Sequence, residues 1–282
     1  MGRLICILTL ICILSACGPS DDKKAMHYID AAKVSLNEGK FSVAKLQIDS
    51  IKQEYPKAFE TRKQGIRLML DVEKQEQLKG LEFLEEDFIT KTDSLDTLKK
   101  KYRYKFEKDE GYQDIGIYSA TTQALERNYN RSFLRFTVDE TGKMTMTSFY
   151  YGSFPIKHNT VHVATKKSTF VETPVATNLY TTSNLGQITE RQDFILGKDD
   201  GNVIDFIIMN QDSPLYVTYK GERPYKYRLS DVDVKAAVEI EQLANVLNAL
   251  NNINQLQAEA HKKLNFINKR IEKFDLENTS TK

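Results

Sequence analysis

Two periodicities divide the chain. From Ala25, Tyr28, Ala31, Ala32 and Leu36 recur at helical spacing, and Asn37-Glu38-Gly39 closes the run with a glycine where helices commonly end. Phe41, Ala44, Ile48 and Ile51 mark a second helix that stops at Tyr55-Pro56. Residues 59–110 hold no proline, and Leu81, Leu84, Phe88, Leu95, Leu98, Tyr102 and Phe106 keep helical spacing, which predicts one long helix. At the other end, 231–274 lacks both proline and glycine. Its stripe Leu243, Val246, Leu250, Ile253, Leu256, Ala260, Leu264, Ile267, Ile271 and Phe274 advances by three or four residues, near the ~3.5 of a coiled coil. The remaining 275–282 reads as a disordered tail.

Between the long helices, over 111–230, the period changes to two. Ile115–Tyr118, Phe133–Val138, Met144–Phe149, Val161–Val163, Thr169–Val171, Ile188–Ile195, Val203–Ile208, Leu215–Tyr219 and Tyr225–Leu229 read as strands. Their connectors carry turn residues, as in Asp139-Glu140-Thr141-Gly142 and Lys198-Asp199-Asp200-Gly201-Asn202. Short strands with close turns predict an antiparallel sandwich or barrel. The fold class is therefore α+β: a β domain inserted into a helical stalk whose two long helices pack antiparallel on each other. The competing arrangement for those helices is an intermolecular coiled coil, and hence a homo-oligomer.

The first sixteen residues follow neither pattern. Met1-Gly2-Arg3 supplies one positive charge, Leu4–Leu14 is almost continuously apolar, and Ser15-Ala16 are small, which is the order of a signal peptide. A helix over 4–16 would be about 20 Å long at ~1.5 Å per residue, short of a ~30 Å hydrocarbon core. Leu14-Ser15-Ala16-Cys17 resembles the lipobox of bacterial lipoproteins. That resemblance implies cleavage before Cys17, acylation of its thiol and new amino group, and an outer-membrane lipid anchor on the periplasmic or the surface-exposed face. Several acyl chains give the firm anchoring that one chain does not. Cys6 and Cys12 leave with the leader, so Cys17 is the only cysteine of the mature chain and no intramolecular disulfide is possible. Residues 17–24 read as a lipidated tether, and Ser20-Asp21-Asp22 resembles the acidic tag behind the cysteine in surface-exported lipoproteins of some Gram-negative bacteria.

The 25–58 hairpin resembles a tetratricopeptide repeat. Pro56 fits the repeat's late proline, Ala32 and Ala44 its small positions, Gly39 and Phe41 its turn, and Ile48 and Ile51 its later apolar positions. Ser35 stands where an aromatic is usual and Ala31 where leucine is usual. Shifted by one period, Ile66 and Glu73 fall on the small and glycine positions, so no second repeat follows. A lone repeat needs other helices, or a protein partner, to cover its apolar face. The β domain resembles no family we can name.

Charge then removes one class of partner. Lys plus Arg is 40 against 39 for Asp plus Glu, and Arg3 leaves with the leader, so the mature chain is balanced. Nothing in that balance favours nucleic acid. There is no tryptophan to build a carbohydrate platform. His158 and His162 on extended chain lie about 13 Å apart at ~3.3 Å per residue, too far to share a metal, and read as surface residues. Lys198–Asn202 lacks the glutamate a calcium loop needs and reads as a hairpin turn. No GxSxG motif is present, and Ser and Thr show no recognisable His and Asp partners. No catalytic residue, cofactor or metal is predicted. Two surfaces remain open: the run Phe149–Pro155, whose Tyr150, Tyr151 and Phe154 could contact a ligand, and the carboxylates Glu172, Glu190, Asp193 and Asp205, which could pair for glycoside hydrolysis. The leading expectation is a non-enzymatic, membrane-anchored envelope lipoprotein acting as an interaction or scaffold module. The alternative is a glycan-binding protein or hydrolase using the β domain.

Overall fold

A computed structural model of the chain describes residues 20–109, 111 and 114–279. The lipobox and Cys17 lie outside the described residues. The fold is α+β with antiparallel sheets, and the described residues form two compact units, one within 20–86 and 255–279 and the other within 87–254.

The first unit is helical. Helix α1 (Asp21–Asn37) starts behind Ser20, whose hydroxyl accepts from the Lys23 N–H, and carries Asp21 and Asp22 in its first turn, where acidic residues favour a helix dipole. Gly39, at φ 70°, turns the chain into α2 (Phe41–Glu54), and its N–H donates to the Leu36 carbonyl. Ala25, Ile29 and Ala32 of α1 and Ala44, Ile48 and Ile51 of α2 are buried together, and Ser35 donates to Gln47 across the hairpin. The long helix α3 (Phe59–Lys101) enters against them. Gly65 of α3 is what permits the approach, since a Cβ there would lie 3.3 Å from Ile48 and 3.5 Å from Ile51. Thr61 fastens the first turn of α3 to that of α1, its N–H and hydroxyl both donating to Asp22.

The last helix, α6 (Asp231–Thr279), contributes its end to the same unit. Arg67 of α3 forks onto Asp275, and Glu85 accepts from Gln257, so α6 descends as α3 ascends. Of the apolar stripe on α6, Leu243, Ile253, Ala260, Leu264 and Ile267 are buried, whereas Leu256 is half exposed. Among the described residues no helix is long and apolar enough to cross a membrane.

The second unit holds two sheets. The larger has order β1-β2-β3-β4-β8-β7 and the smaller β10-β9-β5-β6, with every pairing antiparallel. Strands β1 (Tyr104–Glu107), β2 (Ile117–Ala120), β3 (Phe133–Asp139), β4 (Met144–Gly152), β7 (Tyr180–Asn184) and β8 (Gln187–Ile195) form the first sheet. The second contains β5 (Thr160–Thr165), β6 (Phe170–Glu172), β9 (Leu215–Lys220) and β10 (Tyr225–Arg228). One core takes Phe136 and Met146 from the larger sheet, Val161 and Val217 from the smaller, and Ile240 and Leu243 from α6. The first turn of α6 is tied down by the buried Asp233, which accepts from the two terminal guanidinium nitrogens of Arg131 at 2.7 and 2.8 Å and from the amide of Gln123 at 3.0 Å. Gln123 in turn bonds the β3 backbone at Leu134 and Phe136.

Several segments depart from the sequence pattern. Val203–Met209 is a helix (α5; the single turn Leu125–Asn128 being α4), although its β-branched residues read as a strand. Asp200 accepts from the Ile204 N–H in the first turn, and Val203, Ile204 and Ile207 share the face that enters the core, so tertiary burial overrides local propensity. Lys198–Asn202 is thus a strand-to-helix connection and not a hairpin turn. Helix α3 stops at Lys101, and Phe106 lies on β1, paired with Tyr118 of β2. Helix α1 begins inside the stretch that reads as a tether, and α6 continues past Phe274 to Thr279. Strand β7 is exposed along its whole length, so it carries no alternation to reveal it.

Gly65 offers a direct check of the helical packing. Gly65→Val pushes a branched side chain into Ile48 and Ile51 and is expected to destabilise the first unit by about 1–3 kcal/mol. A urea titration followed by circular dichroism reads this as a lowered midpoint of the helical transition.

Candidate functional site

The chemically richest part of the molecule is assembled by β4, β8 and the segment that leads into β5. Alternation along β4 sends Met144, Met146, Ser148 and Tyr150 to the core and turns Phe149 and Tyr151 the other way. The β4–β8 register then sets Gln192 opposite Ser148 and Glu190 opposite Tyr150. Three polar side chains consequently face an apolar layer, and each needs a partner.

Segment 153–159 supplies partners to Ser148 and Glu190, whereas the buried Gln192 Oε1 has no hydrogen-bond partner among the described residues. Lys157 adopts a left-handed φ of 49°, and this curls successive backbone N–H groups onto one carboxylate. Ile156 and Lys157 both donate to Glu190 Oε1 at 2.9 Å, and His158 N donates to Oε2 at 3.2 Å. The His158 ring reaches the same Oε2 through Nδ1 at 3.0 Å, and its Nε2 lies 2.8 Å from Ser148 Oγ. Tyr219 of β9 stacks on the imidazole with ring centres 4.7 Å apart.

Proton bookkeeping follows from this geometry. An ionised carboxylate only accepts, so Nδ1 carries a hydrogen. With a neutral ring, Nε2 accepts from the Ser148 hydroxyl. With a charged ring, Nε2 donates and Ser148 can turn its own proton to the Gln192 carbonyl, 3.3 Å away. Burial pushes the Glu190 carboxyl up, but hydrogen bonds from the His158 ring and from the N–H groups of Lys157 and His158 outweigh it, so the group titrates below the usual carboxylate range.

Serine, imidazole and carboxylate in this order have the geometry of a nucleophile, its base and the base's orienting partner. Ser148, His158 and Glu190 nevertheless have no exposed surface at all. A nucleophile must leave room about 3 Å away for a reacting atom, and here no solvent-accessible surface leads to the Ser148 hydroxyl. The trio is a polar rivet between the two sheets. His158 is therefore not the surface histidine that its sequence context suggests, and Ser148 does have a histidine and a carboxylate for partners.

No family model, no curated protein and no solved structure matches the chain.

The remaining candidates sort by exposure and pairing. Tyr150 is a core residue: its hydroxyl donates to the Phe154 carbonyl at 3.0 Å, and its ring meets Tyr225 edge-on. Of the three aromatics expected at a ligand surface, only Tyr151, half-buried, and Phe154, 64% exposed, reach solvent. Arg223 holds its guanidinium 5.7 Å from the Phe154 ring centre. The four carboxylates occupy different settings. Glu190 faces the core, Asp193 on the opposite face of β8 accepts from Thr147, and Glu172 sits on the other sheet in an ion pair with Lys220. Asp205 lies in the first turn of α5. Among the described residues, no three His, Cys, Asp or Glu side chains gather as a metal ion would require. His162 is half-buried beside Phe170, and its ring is held below the usual histidine range by burial and by Lys220.

Sequence reasoning missed the Glu190 network because its members come from three segments. One signal was present: Ile188, Glu190, Gln192 and Phe194 share a strand face, so placing Phe194 in the core commits a carboxylate to it.

Glu190→Gln tests the rivet. It replaces an acceptor of four donors by an amide and is expected to cost about 3 kcal/mol, as for a broken buried ion pair. Because the folded-state pKa is depressed, the contribution of Glu190 is fully present above the unfolded value of about 4.3 and is lost as pH falls through the folded value. Denaturant midpoints measured across the acid range should show the parent losing stability below about pH 4, with a smaller loss in the Gln variant.

Proposed function

We propose that the chain is a membrane-anchored envelope lipoprotein whose folded part is a non-enzymatic interaction or scaffold module. The observation that carries this reading is Leu14-Ser15-Ala16-Cys17 at the end of an apolar leader too short to span a bilayer. Two features of the folded part support it. Ser148, His158 and Glu190, the side chains with the most chemical potential, are sealed from solvent. The exposed apolar residues Val34, Val43 and Leu46 lie on the tetratricopeptide-like hairpin, on faces its own core does not use.

On this reading the second unit is a β-sandwich, since both sheets line one core. The long helices form an antiparallel stalk, as the Arg67–Asp275 and Glu85–Gln257 bonds favour. The acidic residues behind the lipid site have a structural reason to be there. Asp21 and Asp22 open a helix, and Asp22 holds Thr61, which accounts for them without an export tag.

A second reading, a glycan- or peptide-binding surface at Tyr151 and Phe154, is favoured by one observation: an exposed aromatic ring beside a guanidinium. Hydrolysis through Glu190 is disfavoured by its burial.

Cys17→Ser decides the anchor. The substitution is expected to move the protein from the membrane pellet to the soluble fraction and to abolish metabolic labelling with palmitate. Retention in the pellet at the parental level would overturn the reading.

A further inference from the structure

Resting on the lipoprotein reading, we infer that one end of the helical unit lies directly against the phospholipid bilayer, with Phe59 as its contact residue. The reason is the distance between the anchor and the fold. Helix α1 begins at Asp21, only four residues after Cys17. Four residues reach about 14 Å even when fully extended. The polar layer outside the hydrocarbon core is itself roughly 5–8 Å deep on each side. A lipidated Cys17 therefore leaves almost no slack, and the first turn of α1 sits at the headgroups.

What surrounds that turn is shown by its bonds. Asp22 is fastened to Thr61, so the start of α3 lies beside the start of α1. Phe59, two residues before Thr61, is 68% exposed. The ion pair between Arg67 and Asp275 brings the last turns of α6 toward the same end, and Leu276 there is 61% exposed. Lys23, Lys24, Lys57 and Lys63 are exposed around them, as is Glu60. Both signs of charge are present, so apolar contact made local by the anchor, and not charge attraction, is what selects the bilayer as occupant. An exposed phenylalanine next to lysines suits the headgroup boundary, where the ring meets acyl chains and the ammonium groups stay among the phosphates. The other end of the hairpin, at Asn37, is about 24 Å away along α1 at ~1.5 Å per residue.

The test uses the lipidated full chain in phosphatidylethanolamine–phosphatidylglycerol vesicles. Acylation consumes the Cys17 thiol, so Phe59→Cys introduces a unique thiol for a nitrobenzoxadiazole label, and Asn37→Cys is its counterpart at the far end. The expected result is a blue-shifted emission at 59 that is quenched by nitroxide-bearing lipids, with neither change at 37. If the protein stays with the vesicles but 59 is as unquenched as 37, or both are quenched equally, the docking inference is overturned while the anchor stands. If the lipid-modified chain is recovered free of vesicles, the anchor reading falls and takes this inference with it.

Discussion

The buried carboxylate of Glu190 organises the junction between the two sheets of the β-rich unit. Glu190 projects from β8 into an apolar layer, and a carboxylate in that position is tolerable only when its oxygens are saturated. Saturation comes from segment 153–159, which bends through a left-handed Lys157 to present three N–H groups and the His158 ring. That bend delivers the chain from β4 of the six-stranded sheet into β5 of the four-stranded one. Tyr219 and Tyr227 extend the polar seam: Tyr219 stacks on His158, and its hydroxyl bonds both the Phe133 carbonyl and the Tyr227 hydroxyl. Burial holds both phenols well above their usual range, so they remain neutral donors.

The consequence for function is subtractive. A serine, a histidine and a glutamate in hydrogen-bonded sequence invite a catalytic interpretation, and the distances alone would satisfy one. Burial of all three side chains weighs toward a structural role, because a rivet and a hydrolytic site differ in whether a substrate atom can approach the hydroxyl. Next to the rivet, Tyr150 donates to the Phe154 backbone carbonyl, and the exposed Phe154 ring lies beside Arg223.

Much of the helical organisation is legible without coordinates because it is a one-dimensional property. The stop at Gly39, the small residues Ala32 and Ala44, and the stripe on the last helix follow from spacing, since a period near 3.6 puts them on one face. The same logic, applied with a period of two, separates Tyr150 from Tyr151. It falters where burial and local preference disagree. Val203–Met209 has strand-forming residues, yet it is helical because Val203, Ile204 and Ile207 together fill one side of the core. Strand β7 has no buried residue and hence no pattern, and β1 continues a run of residues that keep helical spacing.

The sequence by itself determined the charge balance, the apolar run ahead of Cys17 on which the lipoprotein proposal rests, and much of the alternation of helical and extended segments, since each depends on neighbours along the chain. Only the tertiary structure decided which polar side chains are buried and with whom. Ser148, His158 and Glu190 meet through strand register and a turn between sheets, and Asp22 meets Thr61 across two helices. Pairing of that kind depends on distances in space between residues far apart in the chain, and neither composition nor periodicity encodes those distances.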